Sequence, residues 1–375
     1  MTHNSRNLSF LKLVGVIFIV LNGAGCKDRQ GDGATPKGAF DSEDPSRDHP
    51  CSVANSTATF DNVAIVNSEV DSSVLTKRDW SVVRSAAMHS FLVYSTPSEI
   101  RQASRLWGYS EASIVEERSM QAYVASNRNC VVVSFRGTDF SSGKDWFANL
   151  SATMRKLGPE DGLHGGFLDA FDSMAGPLRR LLRVHGAEEK IVWVTGHSLG
   201  GALAGVFSFS NDVRESLPPF NSELIADRHK FKIEKVVTFG QPLFVDGNLA
   251  KKMRQKLHGR YLRVVNNKDL VAKIPPWFTH FGDLLWLKPN SVALLTENMS
   301  VGSVGDFRPE VGAAEIPEEL AADEQSLAEY RLGRPDAASS NNGTPNHPQA
   351  VGSAVSDHSM VPYLNLVTQS WRQPR

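Results

Sequence analysis

Residues Ile191–Thr195 read IVWVT, a short β-branched apolar run, and the pentapeptide Gly196-His197-Ser198-Leu199-Gly200 follows directly. Small residues come next, with Gly201, Ala202, Ala204 and Gly205 in one helix-like stretch. A run this continuously apolar predicts a strand buried on both faces. The small residues predict a helix packed close against the sheet. A G-x-S-x-G pattern between such a strand and such a helix predicts a sharp turn with the serine at its apex. Gly196 and Gly200 leave room for the chain to pass closely. Ser198 then takes a strained backbone conformation and projects its hydroxyl above the sheet edge. The N–H of Leu199 lies at a helix N-terminus, where donors point outward and the dipole favours negative charge. His197 adjoins Ser198, so its ring is not expected to reach the serine oxygen, and it reads as a structural neighbour.

Three more apolar runs predict strands: Cys130–Phe135, Lys235–Phe239 and Tyr261–Val265. Between and before them lie helix-like stretches. Trp80, Val83, Ala87 and Phe91 are spaced at threes and fours within Arg78–Tyr94. Others run from about Gly166 to Val184, with Pro177 as an expected kink, from Leu199 to about Ser210, and from about Asp246 to Leu257. Strands alternating with helices predict an α/β fold built on a mainly parallel central sheet flanked by helices.

The termini and one late segment lack this pattern. Residues 1–25 carry Arg6 and Lys12 and then an apolar run from Leu13 to Leu21, too short for the ~20 residues a membrane span needs. They read as a secretory signal. Gly25 before Cys26 resembles a bacterial lipoprotein processing site, with Cys26 as first mature residue, although Gly23 stands where such sites usually carry Leu. Export, with or without a lipid anchor, is the expectation. Residues 26–60 read as a disordered tether and 61–375 as one domain. Residues 289–350 read as an irregular insertion within it, holding one short acidic helix. Cys51 and Cys130 are expected as two buried free thiols. Forty Lys+Arg against 41 Asp+Glu give a net charge of −1, which lacks the electrostatic footprint of a nucleic-acid binder. Three cysteines are too few for a four-cysteine zinc site.

Five pieces read together carry a family resemblance: VVVSFRGTDF with DWFANL, LHGGFLDAF, VTGHSLGGALA, VVNNKDLVAKIPP and DHSMVPYL. In this order and spacing the chain resembles the class 3 lipases, the fungal-type branch of the α/β-hydrolases, from about residue 78 to 370. The resemblance implies an α/β-hydrolase fold with a short lid, and a triad of Ser198, Asp269 and His358. It implies an oxyanion hole formed by the N–H groups of Thr138 and Leu199, a lid over about Asp139–Leu150, and neither metal nor organic cofactor. Its substrate is then a lipid or other acyl ester, met at a lipid interface. Contact with a membrane would run through the lid and the possible N-terminal anchor.

The residues themselves support this assignment without closing it. A serine hydroxyl needs a base, and the base needs a carboxylate to fix its tautomer. Asp269 follows the strand at Tyr261–Val265, where sheet-edge groups lie. Asp246 and Asp283 are rivals, and Asp246 suits a helix cap better. His358 opens the last apolar segment, with His280 as its rival. His164 is expected near the site as a structural group. Trp146, Phe147 and Leu150 would give a lid helix its apolar face. Trp277 and Phe278 would line the same pocket or pack elsewhere. Rival functions are a phospholipase A1, a short-chain or feruloyl-type carboxylesterase, a peptidase on the same fold, and a non-catalytic surface binding protein.

Overall fold

The computed structural model describes residues 49–53, 75, 77–138, 153–213, 230–288, 291–295 and 357–372. An eight-stranded sheet runs in the order β1 (Glu111–Glu117), β2 (Met120–Ser126), β3 (Cys130–Phe135), β6 (Ile191–His197), β7 (Lys232–Phe239), β8 (Tyr261–Asn266), β9 (Asp283–Lys288) and β10 (Ser291–Leu295). The five central strands, β3 to β9 in that order, are parallel, and the pairs β1–β2, β2–β3 and β9–β10 are antiparallel. A separate hairpin joins β4 (Met154–Lys156) to β5 (Gly162–His164).

Helices cover both faces. On one side lie α3 (Gly165–Val184), α4 (Leu199–Asp212) and α5 (Gly247–Leu257). On the other lie α1 (Lys77–Leu92) and the last helix, α6 (Met360–Arg372), packed against each other. The remaining helix, α2 (Pro97–Leu106), starts with a capping box made by Thr96 and Glu99. Strand alternation divides the core. Val131, Val133 and Phe135 of β3 face the α3–α4 side, whereas Cys130 and Val132 face α1.

All four expected strands are present, and so are the four expected helices. Pro177 lies inside α3, which continues as one helix to Val184. Asp246 is the N-cap of α5, its Oδ1 accepting from Leu249 N–H at 2.9 Å.

Three expectations are corrected. Cys51 and Cys130 are joined in a disulfide, with Cα atoms 5.4 Å apart, and are not free thiols. Residues His49–Val53 are no part of a tether but a strap on the domain. The His49 ring lies 4.5 Å from that of Trp193, Tyr109 Oη donates to Cys51 O (2.6 Å), and Val53 N–H donates to Ser85 Oγ (2.9 Å). These contacts join residues far apart in sequence, so no local pattern announces them. The supposed insertion begins with a strand, because β10 pairs with β9 in register from Ser291 to Leu295. The other residues of the tether and insertion, and the short acidic helix, lie outside the described residues. Among those described, no helix is long and apolar enough to cross a membrane.

Candidate active site

The parallel strands deliver their following loops to one edge. Thr138 lies three residues beyond β3, Ser198 directly follows β6, Gly240 directly follows β7, and Asp269 lies three residues beyond β8. His358 reaches the same edge from the approach to α6.

At Ser198 the backbone turns sharply, with φ 59° and ψ −129°. That φ is disfavoured for a residue bearing Cβ, so the surroundings must hold it. Its N–H donates to Phe239 O (2.9 Å), and its carbonyl accepts from Gly201 N–H (2.9 Å) to start α4. Close approach explains the flanking glycines: a Cβ at Gly196 would lie 2.2 Å from Gly200 O, and one at Gly200 2.1 Å from Phe135 O. Leu199 is the first residue of α4, so its N–H has no acceptor within the helix. Thr138 is half-buried beside Gly137, where an added Cβ would be 3.0 Å from Ser198 Cβ. Ser198 Oγ is buried and makes no hydrogen bond among the described residues.

Asp269 and His358 meet directly. His358 Nδ1 lies 2.8 Å from each Asp269 oxygen, with both residues buried. Oδ1 also accepts from Val271 N–H (2.9 Å), and Oδ2 from Tyr363 Oη (2.6 Å). Burial alone would raise the Asp269 carboxyl. The His358 charge and the hydrogen bonds from His358 and Tyr363 outweigh it and hold the group below its ordinary value. Asp269 is thus a turn aspartate and a histidine partner at once, since its N–H closes a turn onto Asn266 O (2.9 Å). Asp357 clips this turn to the His358 segment. Its Oδ2 accepts from Asn267 Nδ2–H and its carbonyl from Asn266 Nδ2–H, both at 2.9 Å. A carboxylate on Nδ1 leaves Nε2 as the basic nitrogen of the ring.

The other candidates fall elsewhere. Buried His280 has its Nε2 on Ala272 O (2.7 Å), and burial pushes its pKa well down. His164 caps α3 through Nδ1, which accepts from Phe167 N–H (3.3 Å). Burial lowers its pKa to about 4, so it is a neutral structural group. Phe278 is buried and packs near His164, ring centroids 5.4 Å apart, whereas Trp277 is 43% exposed. Trp146, Phe147, Leu150 and the expected lid lie outside the described residues. Sequence reasoning missed Tyr363, Asp357 and Gly240. Tyr363 stands in the quoted DHSMVPYL, but only its hydroxyl contact reveals its part. Among the described residues no group of three or more His, Cys, Asp or Glu is set to hold a metal ion.

A mainly parallel sheet with helices on both faces, a serine at a strand–helix elbow, and an acid and then a histidine later in the chain define the α/β-hydrolase class. Residues 132–279 match the family described as Lipase (class 3). Similar proteins include phospholipase A(1) DAD1 of Arabidopsis thaliana, 30% identical over 40% of this chain and 34% of that protein. Triacylglycerol lipase OBL1 of Ricinus communis is 28% identical over 46% and 41% of the two chains, and a lipase of Rhizomucor miehei 30% identical over 48% and 47%. The chain therefore spans between a third and a half of these relatives. Among solved structures, Lip2 lipase of Yarrowia lipolytica aligns with a TM-score of 0.44 at 16% identity, over 56% of this chain and 81% of that one.

Proposed function

We propose that this protein is a serine hydrolase that cleaves carboxylic esters of acylglycerols through an acyl-enzyme, a lipase in its chemistry. The observation that carries the reading is the hydrogen-bonded Asp269–His358 pair at the sheet edge where the Ser198 elbow stands. In this scheme His358 Nε2 takes the Ser198 proton as Oγ attacks the ester carbonyl. Asp269 holds Nδ1–H and stabilises the imidazolium. The N–H groups of Thr138 and Leu199 receive the oxyanion, for about 3–4 kcal/mol of transition-state stabilisation each. His358 then protonates the leaving alcohol, and water releases the acid by the same steps in reverse. The Ser198–His358 hydrogen bond forms in the substrate complex, as such bonds often tighten only there. The sequence-based expectation of a lid at residues 139–150, with Trp146, Phe147 and Leu150 as its apolar residues, belongs to the same proposal, as does contact of exposed Trp277 with the lipid surface.

Similarity to a protein named phospholipase A(1) supports a second reading, in which the same chemistry acts on a phospholipid. One experiment tests both. A fluorophosphonate probe should label the protein, with the label mapping to Ser198. Hydrolysis of p-nitrophenyl esters from C2 to C16 should peak at long chains and jump above substrate solubility, and the probe should abolish it. A peak at C2–C4 without that jump would identify an esterase. Activity on phosphatidylcholine vesicles exceeding that on triacylglycerol emulsions would favour the phospholipase. A protein that the probe leaves unlabelled would overturn the hydrolase reading.

Gly240 supplies a further check. Its φ is +55°, and a Cβ there would lie 2.6 Å from Asp269 Oδ2 and 2.8 Å from His358 Nδ1. Gly240→Ala should therefore displace the pair and lower kcat about 100-fold, the scale of a misplacement near 1 Å. A kcat within threefold of wild type would contradict the proposed roles of both residues.

Export through residues 1–25 belongs to the same proposal. A buried Cys51–Cys130 disulfide supports it, since such bonds persist in oxidising compartments. A lipid on Cys26 rests on the sequence pattern alone. Radiolabelled palmitate in the wild type but not in Cys26→Ala would support the anchor, and equal labelling of both would remove it.

A further inference from the structure

A partly buried chain of hydrogen bonds crosses the site from the Gly137 side to the His358 side. Gly137 N–H donates to Tyr94 Oη at 3.1 Å. Tyr94 Oη lies 3.0 Å from His197 Nδ1, and His197 Nε2 lies 2.6 Å from the carbonyl oxygen of His358. A carbonyl can only accept, so His197 Nε2 carries a proton. Burial, followed by the nearby His358, lowers the His197 pKa to about 3, so the ring is neutral and its Nδ1 is an acceptor. Tyr94 must then donate to Nδ1, which leaves an oxygen lone pair for Gly137 N–H. One carbonyl thus fixes the direction of every bond in the chain.

The surroundings hold this chain in place. The His197 ring stacks on that of His358, with centroids 4.7 Å apart and planes 30° apart. The Arg136 guanidinium lies over the Tyr94 ring, 5.4 Å from its centroid. Gly137 gives the hydroxyl its space, because a Cβ there would stand 2.5 Å from Tyr94 Oη and 2.5 Å from His197 O. Tyr94 itself sits in the turn that ends α1, its N–H donating to Phe91 O (3.2 Å). It therefore contacts the elbow and the turn leading to Thr138 from an element outside the 132–279 family match.

We propose that Tyr94 is a positioning residue for the reaction: its hydroxyl fixes the Gly137–Thr138 turn relative to His197, and His197 fixes the backbone of His358. This inference rests on the hydrolase reading above. Its consequence is that the oxyanion donor at Thr138 and the base at His358 are held in register by a single oxygen atom. Removing that oxygen takes one hydrogen bond from Gly137 N–H and one from His197 Nδ1 and loosens both sides of the site together.

The test is Tyr94→Phe in the full chain, followed by the rate of Ser198 labelling by a fluorophosphonate, the kcat and KM for a p-nitrophenyl ester, and the thermal midpoint. Labelling rate and kcat should each fall about 10- to 100-fold, the range expected for loosened support of a reacting group. KM should stay within about twofold and the midpoint within a few degrees. His197→Gln, which keeps a donor for the His358 carbonyl, supplies a second variant. If one chain is responsible, the double variant should be no slower than the slower single. Labelling and kcat within twofold of wild type in Tyr94→Phe would overturn the inference. So would losses that multiply in the double variant, or a midpoint drop large enough to account for the lost activity. A wild-type protein that the probe leaves unlabelled would instead bring down the hydrolase reading itself.

Discussion

Asp269→Asn should lower kcat about ten-thousand-fold with little change in KM, the scale seen when a triad carboxylate becomes an amide. The reason lies in what surrounds the carboxylate. Asp269 offers only acceptors, and three donors use them: His358 Nδ1–H, Val271 N–H on Oδ1 and Tyr363 O–H on Oδ2. An asparagine must present an NH2 group on one side or the other. Turned toward Oδ1, it meets the Val271 N–H; turned toward Oδ2, it meets the Tyr363 hydroxyl hydrogen. Either way it also offers a donor to the imidazole and favours the tautomer with the proton on Nε2, which cannot accept from Ser198. The fold should survive, because the substitution keeps size and shape. Steady-state kinetics with a soluble ester measures the effect. A kcat reduced less than tenfold would mean that Asp269 does not set the state of His358.

Removing the disulfide should have the largest effect on stability. Cys51 and Cys130 are 79 residues apart, and their bond closes a loop that includes α1, α2, β1 and β2. In the chain-entropy account a loop of this length is worth about 4 kcal/mol of unfolded-state entropy. Both cysteines are also buried, so Cys51→Ala/Cys130→Ala deletes core sulfur atoms as well. Urea unfolding should report a loss of about 3–5 kcal/mol, with the thermal midpoint lower by roughly 10 °C. The same loss should follow when a reductant acts on the unfolded wild type before refolding. A change below about 1 kcal/mol would mean that the remaining strap contacts already hold residues 49–53 in place.

Legibility in the sequence followed continuous β-branched apolar runs, and buried β2 and β9, which lack one, did not stand out. Central strands covered on both faces are uniformly apolar, so β3, β6, β7 and β8 stand out. The β1 strand, EASIVEE, is an edge strand with exposed glutamates, and its pattern is too mixed to stand out. The β10 strand, SVALL, is five residues inside a stretch otherwise without periodicity, and only its pairing with β9 makes it a strand. Ser198 was legible because its motif is local. Asp269 and His358 are 89 residues apart, so no local pattern joins them, and the family resemblance had to supply the partnership. Tyr94, Tyr363 and Asp357 were illegible as site residues because each meets the site only through one or two polar atoms that touch a distant segment.

The strap has a geometric consequence. Cys130 opens β3 and pairs with Ile191, which opens β6, so the disulfide marks the edge where the parallel strands begin. Ser198, Asp269 and His358 mark the edge where those strands end. A strand of six residues puts about 20 Å between the two. His49 and the strap that follows it thus sit at the base of the domain, opposite the rim that carries Ser198. A support fixed at that base would leave the rim that carries Ser198 on the far side of the domain.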